Sequence, residues 1–272
     1  MKCSLNQTFG GNANPSYKGI GLKGHSGTDV DCQWEKSIHT PVAALTYKVL
    51  TKERPSNDGS GFTGVFLLVE DGIETYELLI GHINPVVVPG AVLKATDHVG
   101  YQANNGTVYA NGIQITLEMQ RRGDQRGTHT HWQKRPYKKV LKRDPSKSYL
   151  TSQSDMNWGS PFYQDKDGYF YEIWNYDNGY NGCVDLFKPI FQRDLFVGRS
   201  GYDVACLQRF LHVEATGYFG MFTMVTLRAW QKSQGLPVTG YFGAMSRAKI
   251  PAKIFTMADL TLDVQFLKCL QS

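Results

Sequence analysis

The hydrophobic pattern of this chain changes period once, near residue 195, and that change restricts it to a fold of two dissimilar parts. Up to about residue 140, runs of β-branched, aromatic and aliphatic residues (42–50, 64–70, 75–82 and 111–118) are separated by Asn-Gly and Asp-Gly steps. This is the signature of short strands joined by tight turns, and no convincing amphipathic helix interrupts it. From residue 195 the apolar positions recur at helical spacing. Val204, Leu207 and Leu211 share one face of a segment that Asp203 can cap, and Thr223 can cap a second that stops at Gly235. The pentapeptide TGYFG occurs at 216–220 and again at 239–243, so the helical part repeats itself with a step of 23 residues. The tail DVQFLKCL (263–270) echoes DVACLQRFL and reads as a cap or a further degenerate unit. Between the two parts, residues 141–194 read as a linker followed by one or two aromatic hairpins. The expectation is an α+β protein: a mainly antiparallel β domain over 1–140 and a small three-helix domain over 195–272.

Composition excludes several classes. Hydrophobic residues make up 41% of the 272, enough for a sizeable core and against wholesale disorder. No apolar run approaches the roughly 18 residues that span a bilayer, so membrane insertion is not expected. The opening MKCSLNQTFGG lacks the apolar core of a secretory signal peptide, which points to synthesis in the cytoplasm. The net charge is 29 − 24 = +5, too small to indicate a nucleic-acid partner. The excess is local: Arg121–Lys147 holds ten basic residues against Asp124 and Asp144, either a solvated face or an attraction for an anionic polymer. The five cysteines (Cys3, Cys32, Cys183, Cys206 and Cys269) have no metal-site or disulfide spacing and read as reduced. Asp165, Asp167 and Glu172 fail as a calcium loop, because the frame set by Gly168 puts Tyr163 and Trp174 at its first and last ligand positions. They read as turn residues.

The chemistry sits in the histidines. His25 lies in GHSGTDVD, four residues before Asp29, and GTHTHW carries His129 and His131 two apart. On extended chain, positions i, i+2 and i+4 face one way, so each pair can address a single point. Imidazole and carboxylate donors suit zinc, and three protein ligands leave a fourth position open for chemistry.

These segments resemble, in order, the lysostaphin/LytM-type zinc endopeptidases of bacterial cell walls. QTFGGNANPSYKGIGLKGHSGTDVDC is similar to that family's opening, HTPVAALTYKV to its following strand, and ELLIGHINPVVVPGAVLKATDHVGYQANNG to its third block. GTHTHW matches the closing motif. The resemblance spans about residues 5–137. It implies one catalytic Zn2+ held by His25, Asp29 and His131, with His82 and His129 as catalytic histidines. LFVGRSGYDVACLQRFL and ATGYFGMFTMVTLRAWQKSQGLPVTGYFGAMS resemble the peptidoglycan-binding domain that accompanies many wall hydrolases. Together the two resemblances imply a monomeric zinc endopeptidase that cleaves stems or cross-bridges of bacterial peptidoglycan, of the phage endolysin type, acting on the wall after release. The alternatives are a catalytically inactive wall-binding or regulatory protein and a virion-associated lysin. In the helical part, Tyr218 and Tyr241 are expected to offer flat faces to a wall ligand, and Phe219 and Phe242 to fill the core.

Overall fold

The computed structural model describes residues 4–11, 16–19, 21–31, 37–40, 46–52, 63–103, 108–110, 113–116, 118–119, 122–140, 142–149, 162–164 and 168–250. The described residues divide into two compact units, one within 4–70 and 75–186, the other of 71–74 and 187–250. The architecture is α+β, with antiparallel sheets in the first unit and helices in the second. Among the described residues, no helix is long and apolar enough to cross a membrane.

The first unit runs β1 (Ser4–Gln7), α1 (Ser16–Gly19), β2 (Thr28–Asp31), β3 (Ser37–His39), β4 (Thr46–Lys52), β5 (Gly64–Glu70), β6 (Thr75–Gly81), β7 (Ile83–Pro85) and β8 (Val92–Leu93). It continues with β9 (His98–Gln102), β10 (Val108–Ala110), β11 (Ile113–Ile115), β12 (Thr130–Val140), β13 (Phe162–Gln164) and β14 (Phe170–Ile173). The main sheet has the order β1-β2-β12-β6-β5-β4-β8. β3, β9 and β7 form a second sheet, and β10 pairs with β11. β5 and β6 occupy the middle and are buried along their length except at Glu70, which is why their sequences are nearly unbroken apolar runs. The strand expected over 75–82 stops at Gly81, and that expected over 111–118 narrows to β11. Residues 42–45 lie outside the described residues. The one-turn helix α1 is too short to leave a periodic signal.

β12 organises the unit. It pairs with β2 over Thr130–Trp132, with β6 over His131–Pro136 and with β14 over Tyr137–Val140. The aromatic block after residue 160 forms the β13–β14 hairpin. Glu172 lies in β14 rather than in a turn, and its carboxylate accepts from Lys147 Nζ at 2.6 Å and Tyr149 Oη at 3.2 Å.

A buried ion pair marks the β12–β6 register. Arg135 faces Glu77 across the ladder, Arg135 Nε donates to Glu77 Oε1 at 2.6 Å, and Tyr137 Oη donates to Glu77 Oε2 at 2.6 Å. Slipping the strands would separate two charges already removed from water, and an unpaired buried charge costs about 3–5 kcal/mol. The basic run is therefore not a uniform solvated face. Lys134 and Arg135 are interior, with Lys134 over the ring of Tyr76, while Arg126 pairs with Asp124 and Lys147 with Glu172. Cys183 and Cys206 are reduced and buried; Cys3, Cys32 and Cys269 lie outside the described residues.

The second unit contains α2 (Tyr202–Phe210), α3 (Met221–Ser233) and α4 (Ala244–Arg247). Its repeat is reproduced bond for bond. Gln208 Nε2 donates to Thr216 Oγ1, Tyr218 O and Thr223 Oγ1 at 3.1, 2.9 and 3.0 Å, while Gln208 Oε1 accepts from Gly217 N at 2.9 Å. Twenty-three residues later, Gln231 Nε2 donates to Thr239 Oγ1, Tyr241 O and Ser246 Oγ at 3.5, 2.9 and 3.1 Å, and its Oε1 accepts from Gly240 N at 2.8 Å. Each glutamine is buried with every amide position engaged, so it staples a TGYFG turn to its preceding helix. Phe219 and Phe242 fill the core, whereas Tyr218 and Tyr241 are 53% and 42% exposed.

Two expected caps are corrected. α2 starts after Gly201, with Asp203 inside its first turn and paired to Arg193 at 2.7 Å. α3 starts after Gly220, and the hydroxyl of Thr223 is engaged by Gln208 instead of by its own helix terminus. The stop at Gly235 is present, at φ +65°. The 263–270 tail lies outside the described residues.

Candidate metal centre

The register of three strands assembles the site. In β12, His131 stands opposite Asp29 of β2 on one side and Gly81 of β6 on the other, and His82 follows Gly81 directly. Paired positions put their side chains on one face of the sheet, so residues 29 and 131 meet although a hundred residues separate them. His25 comes from the turn before β2. Gly10 N donates to His25 O at 2.8 Å and His25 N to Gly11 O at 2.9 Å, which fixes its backbone. A Cβ on Gly27 would lie 2.5 Å from Trp132 O and 2.6 Å from His131 Cε1, so only glycine lets this turn approach β12.

Three donor atoms converge. His25 Nε2 lies 3.2 Å from Asp29 Oδ1 and 3.1 Å from His131 Nδ1, and His131 Nδ1 lies 2.9 Å from Asp29 Oδ1. Zinc bonds of about 2.0–2.1 Å in tetrahedral geometry set neighbouring donors about 3.3 Å apart, so the triangle has the size of one face of such a site. Among the described residues, these three are the group of His, Cys, Asp or Glu that could hold a metal ion, and all three are buried.

Hydrogen bonding around the triangle supports the same use. His131 Nε2 lies 3.3 Å from the Gln133 carbonyl oxygen, which can only accept; with an ion replacing the contact of Nδ1 with Asp29, this bond would hold the ring proton on Nε2 and leave Nδ1 its lone pair. Ser26 Oγ donates to that Gln133 oxygen at 3.1 Å and orients it. His25 Nδ1 is buried and has no hydrogen-bond partner among the described residues. Burial pushes His131 below the ordinary imidazole value, which keeps it neutral and able to donate a lone pair. Burial opposes ionisation of Asp29 too, but the nearby His129 and the bonds from His131 and His25 outweigh it. They hold the carboxyl well below the usual carboxylate range. The residues fit a divalent cation of zinc's preferences.

The other two predicted histidines flank this triangle. His129 and His82 place their ring centroids 4.6 Å apart, and His82 lies 6.3 Å from His131. The Gly127 carbonyl accepts from His129 Nδ1, so in the neutral ring the basic nitrogen is Nε2, 3.5 Å from Asp29 Oδ2. His82 sits between β6 and β7 at φ +56°, a left-handed conformation that costs a non-glycine residue about 1–3 kcal/mol and collects at functional sites. Its carbonyl accepts from Ala103 N at 2.8 Å.

Sequence reasoning missed Gln133, Ser26 and Tyr17. Gln133 was within reach of it, since 129, 131 and 133 share one strand face. Tyr17, on the one-turn α1, places its ring 5.7 Å from His25. Its hydroxyl is pushed up to about 12 by burial and then by the negative charge of Asp29, so it keeps its proton at neutral pH.

Residues 200–250 match the family model described as "Putative peptidoglycan binding domain". No curated protein matches the chain. Among solved structures, the NMR solution structure of lysostaphin is similar with a TM-score of 0.32 and 17% identity, over 62% of this chain and 62% of that one.

Proposed function

We propose that the protein is a zinc-dependent peptidoglycan endopeptidase. The observation that carries the reading is the buried His25–Asp29–His131 triangle with two further histidines beside it. The motif order in the sequence supports it, and the domain match at 200–250 supports the bacterial wall as the place of action. Bound in the triangle, zinc would supply Lewis acidity, polarising a scissile carbonyl and lowering the pKa of a water toward about 7.

The rest falls to the chain's own side chains. His25 Nε2, Asp29 Oδ1 and His131 Nδ1 hold the ion. Gln133 and Ser26 fix the His131 tautomer. His129 Nε2 takes up or returns a proton, because its Nδ1–H is committed to Gly127. His82, its ring against that of His129, orients the reacting groups or stabilises the developing oxyanion. The helical unit presents Tyr218 and Tyr241 at equivalent places in its repeat, where sugar or peptide surfaces of the wall can rest. Tethering of this kind raises the local substrate concentration without altering the bond-breaking step.

Digestion of purified peptidoglycan, followed by mass spectrometry of the products, tests the reading. New amino and carboxyl termini within stems or cross-bridges, lost with a chelator and restored by zinc, are expected. Release of sugar reducing ends alone, or of nothing at all, would refute it.

A further inference from the structure

We infer that residues 174–184 form a clasp that positions His25, so that metal affinity is set in part by a segment that contributes no ligand. The inference rests on the zinc reading above.

The three residues of the triangle are not held alike. Asp29 and His131 belong to paired strands, whereas His25 lies in a turn whose backbone is held by Gly10 and Gly11. What fixes His25 is therefore whatever fixes that strap. Residues 174–184 supply it. They leave β14 and are tied to β12 at both ends, with Trp174 N donating to Pro136 O at 3.0 Å and Val184 N to Lys134 O at 2.9 Å. The span between is braced from inside by one residue. Asn178 Oδ1 accepts from Tyr180 N at 2.7 Å and from Gly182 N at 3.3 Å, and its Nδ2 donates to Cys183 O at 2.9 Å.

The apex of this braced loop grips the strap of residues 9–11 at one place and the turn that carries His25 at another. Tyr180 packs its ring on Phe9, centroids 4.8 Å apart, and its hydroxyl would lie 3.7 Å from a Cβ on Gly10. Lys23 N donates to Gly179 O at 2.9 Å and Lys23 Nζ to Asn178 O at 3.2 Å. The Lys23 stem crosses Gly179 so closely that a Cβ there would fall 2.6 Å from it. Phe9 adjoins the glycines that hydrogen-bond to His25, Lys23 lies two residues before His25 itself, and both are held by the same loop. Tyr180 and Lys23 are positioning residues, since neither reaches the donor triangle.

The test compares Tyr180→Ala, Lys23→Ala and Tyr180→Phe with the wild type. Zinc affinity is read by competition with a chelating indicator, site geometry by the visible spectrum of the cobalt-substituted protein, and strap order by amide hydrogen exchange. A group that hydrogen-bonds a ligand directly is worth about 10- to 100-fold in metal affinity; Tyr180 acts through Phe9 and Gly10, so a loss at the lower end, about 10-fold, and an altered cobalt spectrum are expected for Tyr180→Ala. Tyr180→Phe keeps the ring on Phe9 and should bind as the wild type does. Lys23→Ala removes only an exposed side chain and leaves the fold intact; it should weaken binding in the same direction, by less. In Tyr180→Ala the His25 amide should exchange faster while the His131 amide does not. Wild-type affinity and spectrum in both alanine variants would overturn the clasp. If the wild type itself binds no zinc, the metal reading fails on its own, and exchange at His25 still decides on the clasp, with unchanged protection refuting it.

Discussion

The two units use buried polar groups in opposite ways. In the β unit the buried polar side chains include ionisable groups from distant parts of the sequence: His25, Asp29 and His131 in the triangle with His82 and His129 beside it, and Glu77 with Arg135 in the sheet. In the repeat of the helical unit the buried polar groups are neutral, and Gln208 and Gln231 repeat one arrangement 23 residues apart. A site that must bind a cation and move protons needs charge that is unequally shared. A repeat that only has to hold turns in place needs complete satisfaction of hydrogen bonds, which glutamine supplies without a charge to desolvate. On the proposed function, the first unit carries the chemistry, and the second is the scaffold of a recognition surface.

This contrast can be broken by mutation, and the largest effect is expected at the site. His82→Ala and His129→Ala should each keep the metal and lose about 10²- to 10⁴-fold in turnover, as is usual for acid–base groups. Steady-state rates on a soluble wall peptide, with metal content measured on the same samples, check this. Near-normal turnover would remove that histidine from the mechanism.

Next comes the sheet. Glu77→Ala should cost about 3–5 kcal/mol, because it strands Arg135 in the interior. Replacing both partners, as in Glu77→Leu with Arg135→Met, should recover most of that loss. Denaturant titration measures both; a small effect in the single variant would show that the pair does not hold the β12–β6 register.

In the helical unit, Gln208→Ala and Gln231→Ala should each cost about 1–3 kcal/mol through the donors and acceptors left behind, and by similar amounts. Hydrogen exchange sharpens the comparison. Gly217 N–H should lose protection in the first variant and Gly240 N–H in the second, with the other turn unaffected. Equal loss at both turns would mean that the repeats are one cooperative staple and not two.

The smallest effect concerns acid. Burial lowers His131 below the ordinary value of 6.5, so the unfolded chain takes up that proton first. Its contribution to the metal-free fold is whole above pH 6.5 and is lost as the pH falls toward the lowered value. Asp29 adds a second loss below its ordinary 3.8, since its folded-state value is lower still. Melting of chelator-treated protein should show a wild-type advantage over His131→Gln that shrinks on acidification from pH 7. An advantage that grows would reverse the sign and contradict the burial argument.

How much of this was legible from residues alone depended on range. The strands over 64–70 and 75–81 announced themselves as apolar runs because they are buried along nearly their whole length. The 23-residue step of TGYFG was visible, but a step alone does not say which aromatic turns inward; Phe219 is buried and Tyr218 exposed. The staple itself was not visible, since a glutamine inside a helix looks like any surface polar residue until its partners are placed. The same reason hid the caps: Asp203 and Thr223 have the right chemistry, but Arg193 and Gln208 claim their oxygens. At the site, all five histidine and aspartate positions could be named because the segments that carry them resemble, in order, the motifs of one family; the spacing of His25–Asp29 or His129–His131 alone is a weak signal. The meeting of 29 with 131, and the clasp from 174–184 to the strap at 9–11, could not, because they depend on strand register and on contacts more than a hundred residues apart.

The measurement that bears most directly on the central claim is the metal content of the protein after exhaustive dialysis, wild type beside His131→Ala. One equivalent of zinc in the wild type and none in the variant is the predicted result. A wild type that holds no metal, or a His131→Ala protein that still retains a full equivalent, would contradict the site proposed from His25, Asp29 and His131.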